Sequence, residues 1–214
     1  MAIPTTYTEL QTAVANWLNR PDLTANIPEF ISYGEAKLNR ICRLSQQETT
    51  AAVVTTLNQN YTSLPTGFLE HISLVFDNDL YESPSKVDLS ILDEIRIRSS
   101  GSSSVPSNFA VSNSRYEWDY AADAAYNLTA RFWKKWNIVS DATNWLLTNY
   151  PDAYIYSSLA HAGQFISHPQ TATWEAKAKE IIDELEYQST KLKKATLRCE
   201  SPLVGSARSN ISTG

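Results

Sequence analysis

The chain has 214 residues, a formal net charge of −5 and an apolar share of 43%. That is enough to bury a sizeable core, while the acidic balance argues against a nucleic-acid-coating protein, whose affinity comes mainly from Lys and Arg neutralising phosphates. Six Trp and eleven Tyr beside only six Gly supply large, stiff contact surfaces with few permissive backbone sites. Cys42 and Cys199 lie too far apart for metal or redox spacing, so neither a zinc site nor a disulfide framework follows. No basic stretch leads into an apolar run at the start, and a membrane span's roughly eighteen consecutive apolar residues are nowhere present. The expected setting is a cytosol.

Thr6 and Glu9 have the spacing of a reciprocal N-terminal cap, and Leu10, Val14, Trp17 and Leu18 then form an apolar stripe ending near Asn19. Arg20-Pro21-Asp22 breaks this helix. A second is predicted from about Pro28 through Phe30, Ile31, Ala36, Leu38 and Ile41, giving an antiparallel helical pair. Residues 47–57, rich in Thr and Val, read as a strand closed by the polar turn Asn58-Gln59-Asn60. Residues 64–68 read as irregular and 71–76 as another strand. Val87, Leu89, Ile91, Leu92 and Ile95 predict a short helix beginning near Ser85. The serine-rich run 99–107 is too polar to join a packed core by itself and reads as a loop. Beyond it, Phe109 and Val111, then Tyr116, Trp118 and Tyr120, then Tyr126, Leu128, Ala130 and Phe132 alternate with polar residues. Three antiparallel strands fit, the last with Asn127, Thr129, Arg131 and Trp133 on a second, partly covered face.

Asn144 to Trp174 reads as packed helices. Proline disfavours helical backbone in the residue before it, so Tyr150 should close one short helix while Pro151 and Asp152 open the next. Ile155, Leu159, Ala162 and Ile166 share one face of that next helix. Gly163 costs about 1 kcal/mol against alanine in a helix, so its expected use is the close approach of the following helix. The last helix is predicted over 170–194, with Trp174, Ala178, Ile181, Leu185 and Leu192 as its seam and Glu175 and Lys179 at a favourable i, i+4 spacing.

From Lys191 the charge reverses. Lys191, Lys193, Lys194, Arg198 and Arg208 face only Glu200, so this end carries +4 and the rest −9 of the net −5. Residues 195–214 hold too little apolar surface to fold alone, yet Leu197, Leu203, Val204 and Ile211 are spaced through them as anchors. The expectation is an extended arm that orders on a partner, with those nine residues as its contacts.

Catalytic chemistry finds little support. His71, His161 and His168 form no metal-binding helix pattern, and a lone helical histidine such as His161 is usually packed or solvated. Asp119 and Asp123 with Glu117 raise the alternative of a glycan hydrolase, or of a sugar-binding module using Tyr116, Trp118, Trp133 and Trp136 as stacking rings. Strand alternation opposes both: it places Glu117 and Asp119 on a solvated face and the rings in a sheet core. No cofactor is implied.

Taken together, Tyr7-Thr8-Glu9-Leu10 with Trp17-Leu18, Ile27-Pro28-Glu29-Phe30-Ile31, Leu64-Pro65 with Phe68-Leu69, and Asn144-Trp145-Leu146-Leu147-Thr148-Asn149-Tyr150-Pro151-Asp152 with Trp174 resemble the head-to-tail adaptor family of short-tailed phages. The resemblance spans roughly residues 5–190. It implies an α+β, mainly α protein: a body over 1–194 built as a helical bundle with a β insertion over about 47–136, then the arm over 195–214. It further implies a non-enzymatic virion protein at the capsid vertex, assembled in the host bacterial cytoplasm as a homo-oligomeric ring of twelve copies. Such a ring joins the portal protein to the tail nozzle or tube, passes DNA through its channel without reading its sequence, and sends the arm along the portal. No membrane is involved.

Overall fold

The computed structural model describes residues 3–78, 80–99 and 101–199, with the side chains of 192–199 outside that description. The chain divides into two units: one from the chain up to Gln46 together with the chain from Asn137, the other formed by Gln47–Trp136.

The first unit is helical. Helix α1 (Tyr7–Leu18) opens with both halves of the predicted cap: the Glu9 amide donates to Thr6 Oγ1 at 3.3 Å and the Thr6 amide donates to Glu9 Oε2 at 3.1 Å. Leu10, Val14 and Leu18 are buried as expected, whereas Trp17 is largely exposed, its ring edge-on to Tyr156. Asn19 in the left-handed region closes the helix, and a 3-10 turn over Pro21–Asn26 leads into α2 (Ile27–Ile41). The short α4 (Trp145–Asn149) ends at Tyr150, and α5 (Pro151–Ile166) starts at the proline, as the sequence predicts. Helix α6 spans Thr171–Cys199.

Helix α5 is the centre of this unit, packing against α1, α2 and α6. Its burial is therefore not confined to the stripe predicted from the sequence: Ala153, Tyr154, Ser157, Ser158, Leu159, Ala160, Ala162 and Gly163 are all buried, while Ile155 and Ile166 are only half-buried. Small side chains permit approach on two sides. A Cβ on Gly163 would lie 2.5 Å from Thr171 Oγ1 and 3.1 Å from the Trp174 ring, so the following helix is the neighbour its glycine admits. On the other side a Cβ on Gly34 of α2 would lie 3.0 Å from the Ser158 amide nitrogen, a contact with no signal in the sequence. The seam of α6 runs through Trp174, Ala178, Ile181, Ile182, Leu185 and Ser189. Helix α6 continues past the predicted stop at Lys194 because Lys193 to Arg198 contain no helix breaker, the next proline being Pro202.

The second unit holds two sheets. One has the order β1 (Glu48–Val54), β7 (Asn127–Lys134), β3 (Phe68–Phe76), all antiparallel. The other has the order β2 (Tyr61–Ser63), β6 (Arg115–Trp118), β5 (Asn108–Ser112), β4 (Ser85–Lys86), with β4 parallel to β5. Their inner faces share one core of Val53, Leu74, Phe76, Phe109, Tyr116, Trp118, Leu128, Ala130 and Phe132. Helix α3 (Leu89–Arg98) buries Leu92.

The structure corrects or refines four readings here. The three late strands do not form one sheet: β7 leaves β5 and β6 and inserts between β1 and β3. The helix predicted near Ser85 starts at Leu89 because 85–87 is captured by β5, the Val87 amide donating to the Phe109 carbonyl at 2.8 Å. The strand predicted over 71–76 begins at Phe68, and 61–63 adds a strand that the polar context concealed. The serine-rich run is a loop as expected, and its end adds to the core formed by others, with Pro106 buried and Val105 packed against the cluster. The architecture is α+β, and a helical bundle with a small β portion understates the β unit.

Candidate interaction surface

The residues expected to bind a partner divide by position. Lys191 is exposed on α6; Lys193, Lys194, Leu197 and Arg198 lie on the same helical backbone. Leu203, Val204, Arg208 and Ile211, with the rest of the expected arm from Glu200, lie outside the described residues.

Two of the three carboxylates of the hydrolase alternative are built into the fold, while Asp123 is exposed and accepts the Tyr126 hydroxyl at 2.7 Å. Both Glu117 and Asp119 are buried, contrary to the solvated face that alternation predicted: Arg96 of α3 reaches across to Glu117, and Ser107 and Asn108 close over Asp119. Its guanidinium donates to Glu117 Oε2 at 2.9 Å, to the Trp118 carbonyl at 2.9 Å and to the Asn60 carbonyl at 3.2 Å, while Arg115 donates to Glu117 Oε1 at 3.2 Å. Burial alone would raise the Glu117 carboxyl, but the hydrogen bond and charge of Arg96, helped by Arg115, hold it below the usual range. Asp119 accepts from the Ser107 amide and hydroxyl, the Asn108 amide and side chain, and the Tyr120 amide, all at 2.8–3.1 Å. With its oxygens engaged by five protein donors, Asp119 anchors the 107–108 segment to the end of β6. Tyr116 and Trp118, two of the four candidate stacking rings, are fully buried.

The histidines and the described cysteine are packed groups. His71 sits against Phe109 and Tyr116, and burial, then Lys86, pushes its ring down to about 4. His168 stacks on Trp174 with centroids 4.7 Å apart. His161 lies against Tyr33, its charged form disfavoured by burial, then by Lys37 and Arg40. Burial, with Glu186 adding to it, pushes the Cys42 thiol up to about 11, which leaves it inert as a nucleophile. Among the described residues no group of three or more His, Cys, Asp or Glu could hold a metal ion, and no helix is long and apolar enough to cross a membrane.

The organising polar feature of the helical unit is one that sequence reasoning missed. Glu35 of α2 accepts the Ile138 amide at 2.7 Å and the Tyr154 hydroxyl at 3.0 Å through the same oxygen; that hydroxyl in turn accepts from Asn144 Nδ2 at 2.9 Å. Asn144 Oδ1 then caps α4 by accepting the Leu147 amide at 2.9 Å. Burial raises the Glu35 carboxyl, and its two donors offset only part of that rise. The relay gives Asn144 and Tyr154 defined roles within the stretch that carries the adaptor resemblance.

Surface apolar groups lie on both units. On the helical unit Tyr33, Ile41, Phe165 and Tyr187 are exposed, and a groove of about 440 Å³ separates α2 from α6, lined by Lys37, Ile41, Glu175, Lys179, Ile182 and Asp183. Glu175 there accepts from Gln164, while an ion pair on α6 joins Lys177 and Glu180 at 2.7 Å. On the β unit Leu80 stands 82% exposed on the turn after β3, with Ile97 also exposed. Such a distribution suits contacts with other proteins more than capture of a small substrate.

A search of curated proteins finds no match. The model of the family described as SU10 adaptor protein matches residues 5–199, which include the capped α1, the Glu35 relay and both sheets, and the chain belongs to that family.

Proposed function

We propose that the chain is a structural component of a phage particle, a head-to-tail adaptor that assembles as a ring, twelve copies in the expected form, between the portal and the tail nozzle or tube. DNA passes through the ring, and the basic end from Lys191 onward tethers it to the portal. The observation that carries this reading is the family match over residues 5–199. The chemistry is compatible with it: of the carboxylates that would serve a hydrolase, Glu117 is held by Arg96 and Asp119 by backbone and side-chain donors of the 107–108 segment. A closed ring needs a heterologous contact, one side of each copy complementing the other side of its neighbour. An acidic body also suits a conduit, since a lumen lined with Lys and Arg would retain phosphates.

The test is co-sedimentation with purified portal rings, using full-length protein, a version ending at Cys199 that keeps α6 whole, and a Lys191→Gln, Lys193→Gln, Lys194→Gln, Arg198→Gln variant. Full-length protein should pellet with the portal and both altered forms should be weakened. Equal binding by all three would remove the basic end from the mechanism; no binding by any would refute the adaptor role.

A further inference from the structure

Leu64-Pro65 and Phe68-Leu69, two of the segments that carry the adaptor resemblance, stand where the chain leaves β2 and enters β3. Neither pair is sealed in the core. Leu64 and Phe68 pack against it from its margin, and all four side chains stay half-buried. With the half-buried Val111 of β5 they line a groove of about 530 Å³ that lies wholly within the β unit. Apolar side chains gathered on an open groove beside a filled core form a contact surface.

The groove is braced on its own. Gly67 at φ +77° and Asn113 at φ +48° shape the turns on its two sides. The Leu64 amide donates to the Ser114 carbonyl at 2.9 Å and joins those sides, while the Lys135 amide donates to the Gly67 carbonyl at 2.8 Å. The Phe68 ring stacks on Phe132 with centroids 5.5 Å apart and meets Tyr116 edge-on. A groove held this way has little freedom to lose on binding. Its charge has one sign. Among the described residues that line it, Lys135 is charged and no carboxylate is present, and the Lys134 stem flanks Gly67. Both lysines are exposed, and neither has an ion-pair partner among the described residues. A cation at the rim of an apolar groove selects an acidic occupant. The chain's own end has the wrong sign, since residues 201–214 contain Arg208 and no Asp or Glu.

We propose that this groove binds an acidic peptide segment of another particle protein, with an apolar side chain seated against Phe68, Leu69 and Val111 and a neighbouring carboxylate on Lys135. The inference rests on the adaptor reading and names a surface by which the chain holds a different protein. The seated side chain supplies the hold, and Lys135 selects the partner and speeds encounter.

The experiment places a photoreactive benzoylphenylalanine at Thr66 or at Ser114, exposed turn positions on the two sides of the groove, in full-length protein assembled into particles. Irradiation should join both positions to one segment of one other protein, and mass spectrometry of the joined peptides should find Asp or Glu next to an apolar residue. Folded variants kept out of particles that accept the same group at the exposed Ser90 also support an occupied groove. Lys135→Glu should lower the adduct yield by roughly fivefold. A synthetic peptide of the joined segment should bind purified full-length protein, bind Lys135→Glu more weakly by a similar factor, and recover when its carboxylate is replaced by lysine. Adducts to a second copy of the chain overturn the choice of occupant. A joined segment without a carboxylate, or a yield unchanged by Lys135→Glu, overturns the charge pairing. Particles that contain both photoreactive variants and give no adduct overturn the site and leave the adaptor reading standing. Unsubstituted protein missing from purified particles removes that reading and this proposal together.

Discussion

Replacing Tyr154 by Phe tests the relay that ties α2 to α5. The ring itself stays, so packing is kept while one hydroxyl oxygen, fully buried, is deleted. Two hydrogen bonds disappear: the one donated to Glu35 at 3.0 Å and the one accepted from Asn144 at 2.9 Å. A hydrogen bond contributes about 0.5 to 1.5 kcal/mol, and the buried Asn144 amide left without an acceptor costs about 1 to 3 kcal/mol more. Because the members share one network these figures do not add fully, and a net loss of about 2 to 4 kcal/mol is expected. For a chain of this size that corresponds to a fall of about 5 to 15 °C in the melting temperature of the helical unit. Since the two units need not melt together, hydrogen exchange read on peptides from α2 and α5 is the assay. Tyr150→Phe is the control: its hydroxyl donates to Gln188 at the surface, and its loss should stay within about 0.5 kcal/mol. If the two variants exchange alike, the relay contributes nothing to stability and the reasoning fails.

Gly34→Ala should destabilise the helical unit by about 1 kcal/mol even though helix propensity alone would stabilise it by that much, because the new Cβ meets the Ser158 backbone at 3.0 Å and overpacking costs about 1 to 3 kcal/mol. A urea midpoint equal to or above that of the parent protein would contradict this. Arg96→Ala should destabilise the β unit by about 3 kcal/mol by leaving Glu117 buried without its main partner. The depressed Glu117 carboxyl contributes stability above its unfolded value and loses it as pH falls through the lower folded value, so the parent's advantage over Arg96→Ala in denaturation titrations should shrink in acid. Glu35 has the opposite sign. Its folded carboxyl is raised, so its contribution is full below the unfolded value and lost as pH rises through the folded one. Relative to Glu35→Gln, the parent should therefore gain stability as pH is lowered from about 7 to about 4.5, and a flat difference across that range would refute it.

What was legible in the sequence was local. The cap at Thr6 and Glu9, the stop at Asn19, and the proline that opens α5 depend on residues within a turn of one another, and each is where the pattern predicts. Alternation along β5, β6 and β7 gave the inward residues, because it reports the face of a strand; it could not report the neighbour. Strand β7 pairs with β1 and β3 across long stretches of chain, a choice made by shape in the core. The same rule misplaced Glu117, since period two assumes a wet outer face and here Arg96 covers it. Nothing near Glu35 in the sequence signals what it does, because its partners Ile138 and Tyr154 are 103 and 119 residues away.

The helical unit is made of two stretches of chain separated by the whole β unit, so α2 and the central α5 are synthesised far apart. Bringing together the ends of a loop of about 90 residues carries an entropic cost on the order of 4 kcal/mol if that loop is unstructured. The β unit removes much of this obstacle when it folds first, because its opening residue on β1, Glu48, is paired in register with Trp133 near the end of β7. The strand that follows α2 and the strand that precedes α4 are thereby clasped side by side before α5 exists. Synthesis from the N-terminus delivers the whole contiguous β unit before α5, the order in which this reduction of the loop cost is available to the helical unit.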